Sequence, residues 1–151
     1  MNILILCKAN YCRSPVCEKM LKSKLSNDFQ VQSRGIIDFF RSSMHKESIN
    51  YLQSKGYTDL LHNPKKVSKE TLNKSNLIFS LDFEVAQFIQ NNYPNVVNKM
   101  RMYNFLNNKI STIDPIGFNR DEYINIMDNL DLCSDLIVEW INKEKENNNV
   151  Y

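Results

Sequence analysis

The sequence predicts an α/β fold, a three-layer sandwich in which helices cover both faces of a four-stranded parallel sheet. Short apolar runs rich in Ile, Leu and Phe alternate with longer segments whose apolar residues recur at helical spacing. This alternation is typical of parallel strands joined by right-handed helical crossovers. A chain of 151 residues, 42% hydrophobic and 24% charged, is long enough to bury one core and fits one domain.

The predicted order of elements is β-α-β-α-α-β-α-β-α. The first strand, residues 2–6, is an uncharged apolar run of the kind that is buried on both faces of a sheet. Ser14-Pro15 predicts the start of the first helix, with serine as the N-cap and proline at the first helical position. Further strands are expected at 29–33, 76–80 and 99–103, and further helices at 44–55, 68–74, 83–92 and 120–144.

Residues 1–145 are predicted to form the domain, and residues 146–151 a polar tail that frays. The net charge of +2 does not predict a nucleic-acid partner, and Lys65 and Lys66, the strongest basic patch, are interpreted as a solvated face. No segment has the length needed for membrane insertion, and the first residues lack the pattern of an export signal. Together with four cysteines, these features predict a cytoplasmic protein with reduced thiols.

The strongest chemical signal is the loop between the first strand and the first helix, Cys7-Lys8-Ala9-Asn10-Tyr11-Cys12-Arg13-Ser14. In a parallel sheet this loop lies at the carboxyl ends of the strands, where ligands bind. Backbone N–H groups of a wrapped loop and of a helix N-terminus favour an anion, and an arginine can donate two hydrogen bonds to phosphate oxygens. We therefore predict a phosphate loop, with Cys7 as thiolate nucleophile and Arg13 as phosphate clamp.

A metal site is the alternative interpretation of this segment. Cys7, Cys12 and Cys17 are each separated by four residues. However, Cys17 falls inside the predicted helix and no fourth ligand has matching spacing, so no metal is expected.

A phosphocysteine reaction also needs an acid that protonates the leaving oxygen. Asp114, followed by Pro115, lies in the loop between the fourth strand and the last helix, which can reach the same edge of the sheet. The alternative is an aspartate that only forms an Asx turn. In a chain that also carries the Cys–Arg loop, we predict that Asp114 is the general acid.

These features together resemble the low-molecular-weight protein tyrosine phosphatases. The early loop followed by Pro15 and the late Asp114-Pro115 carry the likeness, because other phosphatases with a Cys–Arg loop usually place it late in the chain. Similarity over nearly the whole chain is added by Ser33, Gly35, the run 55–62 and residues 77–82. The resemblance implies hydrolysis of phosphotyrosine through a phosphocysteine intermediate, without a cofactor.

The resemblance also implies supporting roles for several residues. Asn10 is expected to hold the strained loop through hydrogen bonds, with Ser33 and His62 as partners. Ser14 is expected to donate to the nucleophile's thiolate and to aid release of phosphate from it. Cys12 corresponds to the family's second loop cysteine, which can form a reversible disulfide with the nucleophile.

Departures from the family pattern fall around the pocket. Lys8 stands where a small apolar residue or threonine is usual, and Ala9 where glycine is usual. Tyr11 replaces a residue, often isoleucine, on one wall, and Ile116 stands where an aromatic residue is common. The opposite wall is expected from Phe39 or Phe40. Because the nucleophile, clamp and acid are retained, we expect activity, with a substrate preference that depends on the altered walls.

Three other functions fit the same residues less well. Protein-arginine phosphatases resemble the chain, but threonine is typical where Tyr11 stands. Arsenate reductases need further cysteines to relay a disulfide, and Cys133 is the only cysteine downstream. A catalytically idle phosphotyrosine-binding module would not need both Cys7 and Asp114. The expected partner is a phosphotyrosine-containing protein, which by resemblance to bacterial relatives is a tyrosine kinase of surface polysaccharide export.

Overall fold

The computed structural model describes residues 1–148 and confirms the predicted α/β sandwich. Within these residues one sheet of four parallel strands has the order β2-β1-β3-β4. The strands are β1 (Asn2–Cys7), β2 (Gln30–Gly35), β3 (Leu77–Ser80) and β4 (Met100–Met102). The helices are α1 (Arg13–Lys24), α2 (Lys46–Ser54), α3 (Lys69–Lys74), α4 (Phe83–Asn92) and α5 (Arg120–Asn148), and a 3₁₀ turn, Pro94–Lys99, precedes β4.

The sheet separates two apolar cores. On β1, Ile3 and Ile5 point into the larger core with α1, α2 and α5, whereas Leu4 and Leu6 point into the smaller core with α4. All four side chains are fully buried. A strand that faces two cores must be apolar at successive positions, which explains its uncharged run.

The first helix begins differently from the prediction. Arg13 is its first residue and Cys12 its N-cap, without a side-chain capping hydrogen bond. The prediction of Ser14 as N-cap was therefore wrong. Its hydroxyl lies 2.9 Å from the sulfur of Cys7 instead, because the side chain turns back into the preceding loop.

Several other boundaries also differ. α2 begins at Lys46 because the imidazole of His45 caps it, accepting a hydrogen bond from the N–H of Glu47. The 3₁₀ turn before β4 begins at Pro94 and was not predicted. α5 continues to Asn148, past its predicted end at 144 and past the predicted start of the polar tail at 146. Residues 149–151 of that tail lie outside the described residues.

Gly35, at the end of β2, lies directly against the loop that follows β1. A Cβ atom at this position would come within 2.8 Å of the backbone of Lys8 and Ala9. The N–H of Ile36 donates to the carbonyl of Lys8 at 2.8 Å. The absence of a side chain thus lets the second strand support the loop from the side.

In the described part of the chain, no helix combines the length and apolarity that crossing a membrane requires.

Candidate active site

The site lies at the carboxyl end of β1, the central position from which neighbouring strands run to either side. β2 pairs with one edge of β1 and β3 with the other. The loop from 8 to 12 therefore follows the strand at which the order of the sheet changes direction. This is where open parallel sheets bind ligands. The Asp114 loop, between β4 and α5, reaches the same end of the sheet, since Asp114 lines one cleft with Cys7 and Arg13.

Asn10 is the residue that holds the loop in shape. It is fully buried and has a φ of 55°, the left-handed region that asparagine tolerates better than most residues. Its side-chain amide donates to the hydroxyls of Ser14 and Ser33, both at 2.9 Å. Its side-chain oxygen accepts from the N–H of Lys65 at 3.0 Å, which fixes the orientation of the amide.

His62 holds the backbone of the same residue. Its Nε2–H donates to the carbonyl of Asn10 at 2.8 Å. Burial lowers the pKa of His62, so the imidazole at this position is neutral near pH 7. Ser33 and His62, expected from the resemblance to be partners of Asn10, are both hydrogen-bonded to it.

Cys7 lies at the floor of the loop, and the residue is only 3% exposed. The N–H of Asn10 donates to its sulfur at 3.2 Å, and the hydroxyl of Ser14 lies 2.9 Å away. Because the Ser14 oxygen already accepts from the Asn10 amide, its own hydrogen is free to point at the sulfur. The sulfur therefore faces two groups that can donate a hydrogen bond to it.

Glu18 continues this network beneath the loop and was not among the predicted site residues. It is nearly buried on α1 and accepts from the hydroxyl of Ser33 at 2.5 Å and from Lys22 at 2.6 Å. Its position in the sequence could have indicated this contact, because Glu18 follows Ser14 by four residues and residues four apart share a helix face. Ser33 therefore links the loop to a charge-paired carboxylate.

Arg13 is held in place before any ligand binds. Its side chain is 2% exposed, and its guanidinium donates to Asp82 at 2.8 Å and to the carbonyl of Thr112 at 3.0 Å. Burial opposes its charge, but the neighbouring Cys7 and the carboxylates raise the pKa of Arg13 overall. Neither Asp82 nor Thr112 was predicted as a site residue. Asp82 was recognisable as the N-cap of a helix that follows the strand beside β1.

Asp114 occupies the opposite side of the cleft and is 47% exposed. Its carboxylate lies 3.9 Å from the guanidinium of Arg13. The same carboxylate accepts from the N–H of Ile116 at 3.1 Å, so the Asx turn and a position facing the cleft occur together. The carboxylate of Asp114 and the guanidinium of Arg13 therefore border the same cleft.

The cleft is narrow, about 170 Å³, with Cys7 at its floor. Tyr11 and Phe39 line it with their ring centroids 4.9 Å apart, and Ile116 lies on the Asp114 side. Phe40 is 92% exposed and does not line the cleft, so Phe39 supplies the second aromatic surface. The N-terminal side of the loop, at Lys8 and Ala9, also lines the cleft.

Cys12 is buried and lines the cleft together with Cys7 and Arg13. Burial raises the pKa of its thiol to about 12, against a hydrogen bond from Tyr123 that lowers it. Its carbonyl accepts from Ser48, whose hydroxyl is also 2.6 Å from that of Tyr123. Within residues 1–148, no three His, Cys, Asp or Glu side chains are grouped so as to hold a metal ion.

A model of the low molecular weight phosphotyrosine protein phosphatase family matches residues 2–147. The chain belongs to this family. Its members are phosphoric monoester hydrolases, and the match confirms the family that the sequence resembles. The low molecular weight protein-tyrosine-phosphatase PtpB of Staphylococcus aureus is 22% identical over 138 residues, which cover 86% of this chain and 91% of PtpB.

Solved structures with low sequence identity to this chain share its fold. The YwlE arginine phosphatase from Geobacillus stearothermophilus has a TM-score of 0.89 at 22% identity, over 97% of this chain and 96% of that one. The tyrosine phosphatase Wzb from Escherichia coli K30, in complex with sulphate, has a TM-score of 0.86 at 18% identity, over 93% of this chain and 97% of that one.

Proposed function

We propose that this protein hydrolyses phosphotyrosine in proteins through a phosphocysteine intermediate. The observation that carries the proposal is the sulfur of Cys7, which faces two hydrogen-bond donors at the floor of a cleft bordered by Arg13 and Asp114. A nucleophile, an anion clamp and an acid in one small cleft are the parts that this reaction needs.

In the first step the Cys7 sulfur attacks phosphorus, forming the S–P bond as the bond from phosphorus to the tyrosine oxygen breaks. Arg13 and the loop N–H groups bind the phosphoryl oxygens, and Asp114 transfers its proton to the leaving tyrosine oxygen. In the second step Asp114, now a carboxylate, accepts a proton from a water that attacks phosphorus. The S–P bond breaks, phosphate leaves, and the Ser14 hydroxyl stabilises the returning thiolate.

The aromatic lining favours a phosphorylated tyrosine over other residues. Tyr11 packs edge-on against His45 at 5.3 Å and tilts onto Phe39 at 4.9 Å, so its ring is held at the cleft from two sides. An aromatic ring that packs beside the Tyr11–Phe39 pair gains offset or edge contacts, each worth about 0.5–1.5 kcal/mol beyond burial. The long phosphotyrosine side chain also suits a sulfur at the bottom of a narrow cleft.

Phosphoarginine is the competing substrate, since YwlE, which shares this fold, is named an arginine phosphatase. The decisive experiment compares kcat/KM on three peptides of one sequence that carry phosphotyrosine, phosphoarginine or phosphoserine. We expect the phosphotyrosine peptide to be the best substrate. Faster turnover of the phosphoarginine peptide would make phosphoarginine, instead of phosphotyrosine, the substrate. No turnover of any of the three peptides would favour an idle binding module.

The covalent intermediate has its own test. Ser14→Ala should slow breakdown of phosphocysteine more than its formation, so para-nitrophenyl phosphate should give a burst of nitrophenol close to the enzyme concentration. A linear onset in the variant, with turnover as in wild type, would contradict a role of Ser14 in release of phosphate.

We propose further that the protein acts in the cytoplasm on a tyrosine kinase of surface polysaccharide export. The absence of activity on phosphotyrosine peptides from such a kinase, alongside good activity on other phosphotyrosine peptides, would reject this partner and keep the enzyme class.

A further inference from the structure

A second, larger depression lies beside the catalytic cleft, between the turn after β3 and the loop that precedes Asp114. Its volume is about 710 Å³, compared with about 170 Å³ for the cleft. Apolar side chains from three segments line it: Phe83, Met102, Phe105, Ile110 and Ile113. We call this depression the lateral groove.

Two of the apolar residues of the lateral groove are unusually exposed. Phe83 is 81% exposed and Ile113 is 50% exposed. Phe83 is the first residue of α4, and its ring belongs to neither apolar core. Large apolar side chains that the fold does not use, placed around a groove, are typical of a binding surface.

The lateral groove is continuous with the site on the Arg13 side. Asp82 and Thr112 line the groove and at the same time hold the guanidinium of Arg13, at 2.8 and 3.0 Å. Ile113 is the residue immediately before Asp114. A ligand in the groove would therefore lie just across the Arg13 contacts from a phosphoryl group in the cleft.

We propose that the lateral groove binds an apolar side chain of the phosphoprotein substrate, close in sequence to the phosphorylated residue. Because Asp82 and Thr112 both line the groove and contact Arg13, an extended chain that advances about 3.3–3.6 Å per residue would need only a few residues to reach from the cleft to the groove. Met102 and the aromatic rings provide an adaptable apolar surface for Leu, Ile, Met or Phe. This inference rests on the proposed function and adds a sequence preference to it.

The test uses pairs of phosphotyrosine peptides that differ only by Leu or Ser at one position, scanned over the three residues on each side. Wild type should prefer Leu at one or two of these positions. Phe83→Ala should lower kcat/KM on the preferred Leu peptide about tenfold, the size of a truncated anchor residue. It should leave the matched Ser peptide and para-nitrophenyl phosphate unchanged.

Two further variants make the result specific to the lateral groove. Ile113→Thr keeps the branched shape but not the apolar surface, and should reduce the Leu preference in the same way. Leu132→Ala removes a residue that is 49% exposed on α5, outside the groove, and should change nothing. Thermal unfolding of each variant shows whether the fold is intact.

Each other outcome overturns the inference in a recognisable way. Equal loss on the Leu peptide and on para-nitrophenyl phosphate would mean that Phe83 supports the catalytic residues instead. Turnover of phosphotyrosine peptides without any Leu preference would reject the groove and keep the proposed function, whereas no turnover of phosphotyrosine would remove both. A wild-type dimer in sedimentation that Phe83→Ala dissociates would make the groove an interface between two copies.

Discussion

The two sides of the catalytic cleft are built in different ways. In the phosphate loop, Asn10 alone takes part in five hydrogen bonds, to residues of β1, α1, β2 and the segment from 62 to 65. In the opposite loop, Asp114 is 47% exposed, and its carboxylate accepts one hydrogen bond, from the nearby Ile116.

This contrast separates two tasks. Groups that bind an anion act best when they are fixed before the ligand arrives, because no reorganisation is then needed during the reaction. In the proposed reaction, the acid must deliver a proton to a leaving oxygen whose position varies with the substrate. A buried, cross-linked loop suits the first task, and an exposed carboxylate suits the second.

The largest expected effect is on the buried side. Cys7→Ser and Arg13→Ala should each lower kcat by about 10⁴ or more, because these residues act as one unit with the substrate phosphorus. Turnover of para-nitrophenyl phosphate measures the loss, and circular dichroism checks the fold. Cys133→Ala, which removes a buried thiol from α5, is the matched control and should keep full activity. Wild-type turnover in either folded site variant would reject the assignment.

Peroxide should inactivate the enzyme almost completely but reversibly. The Cys7 thiolate is oxidised to sulfenic acid, and the Cys12 thiol then displaces water from it to form a disulfide. Because the pKa of Cys12 is raised to about 12, its thiolate fraction grows with pH. Disulfide closure should therefore accelerate by about tenfold per pH unit below that value.

Peptide mass spectrometry after oxidation, followed by recovery with a thiol reductant, measures this outcome. Cys12→Ala should lose the protection and collect irreversibly oxidised Cys7. If wild type also ends mainly as Cys7 sulfonic acid, with Cys12 free, the disulfide has no protective role.

On the exposed side, Asp114→Asn should lower turnover by about 10²–10⁴, the usual contribution of a positioned acid. The loss should shrink for substrates whose leaving group needs no proton. Stability should change by less than about 0.5 kcal/mol, as is usual for exposed positions.

Asp82→Asn sharpens this comparison, because Asp82 holds Arg13 rather than facing the leaving group. Its loss should be equal on all leaving groups. The opposite result, with Asp82 sensitive to the leaving group and Asp114 insensitive, would exchange the two roles.

Asn10 should show the reverse balance, with a large effect on stability. Asn10→Ala removes the amide that donates to the hydroxyls of Ser14 and Ser33, leaves the N–H of Lys65 without its acceptor and places alanine at a φ of 55°. The expected loss is about 2–4 kcal/mol of the free energy of unfolding. Asn10→Gly removes the same hydrogen bonds without the backbone strain, so it should be about 1 kcal/mol more stable than the alanine variant. Equal stability in urea titration would show that the backbone is not strained.

The smallest effect is expected at Tyr11. Tyr11→Ala should raise KM for aryl phosphates several-fold with little change in kcat. This pattern is expected when the lost contact stabilises the bound substrate and the transition state equally. Tyr11→Phe keeps the ring and should retain the wild-type KM. Unchanged kinetics in Tyr11→Ala, on a small aryl phosphate and on a phosphotyrosine peptide, would remove Tyr11 from substrate binding.

The sequence predicted the sheet well because β1 is apolar at successive positions and strands alternate with helices. It also predicted which residues meet at the cleft, since Cys7 ends β1, Arg13 begins α1 and Asp114 lies in a loop at the same end of the parallel sheet. It did not predict the N-cap of α1, because the local preference of Ser14 for capping lost to its contact with the Cys7 sulfur. A side-chain contact within the loop thus replaces the capping hydrogen bond that serine favours.

The partners of Arg13 were missed for a similar reason. Thr112 contributes its backbone carbonyl, and the identity of a side chain carries no signal for that. Asp82 was recognisable as a helix cap, but its second oxygen binds Arg13 from 69 residues away. Such pairings depend on how the turn after β3 sits beside β1, which a single sequence does not reveal.

The distance along the chain between the loop and its supports has a consequence for synthesis. The loop ends at Ser14, but Gly35 supports its side, His62 holds a carbonyl in it and Lys65 fixes its asparagine. On a ribosome, the loop segment emerges long before these supports do. Closing separations of 52 and 55 residues is an entropic cost that local structure cannot offset. A nascent chain that ends before His62 therefore carries the complete Cys–Arg motif without the shape that binds phosphate.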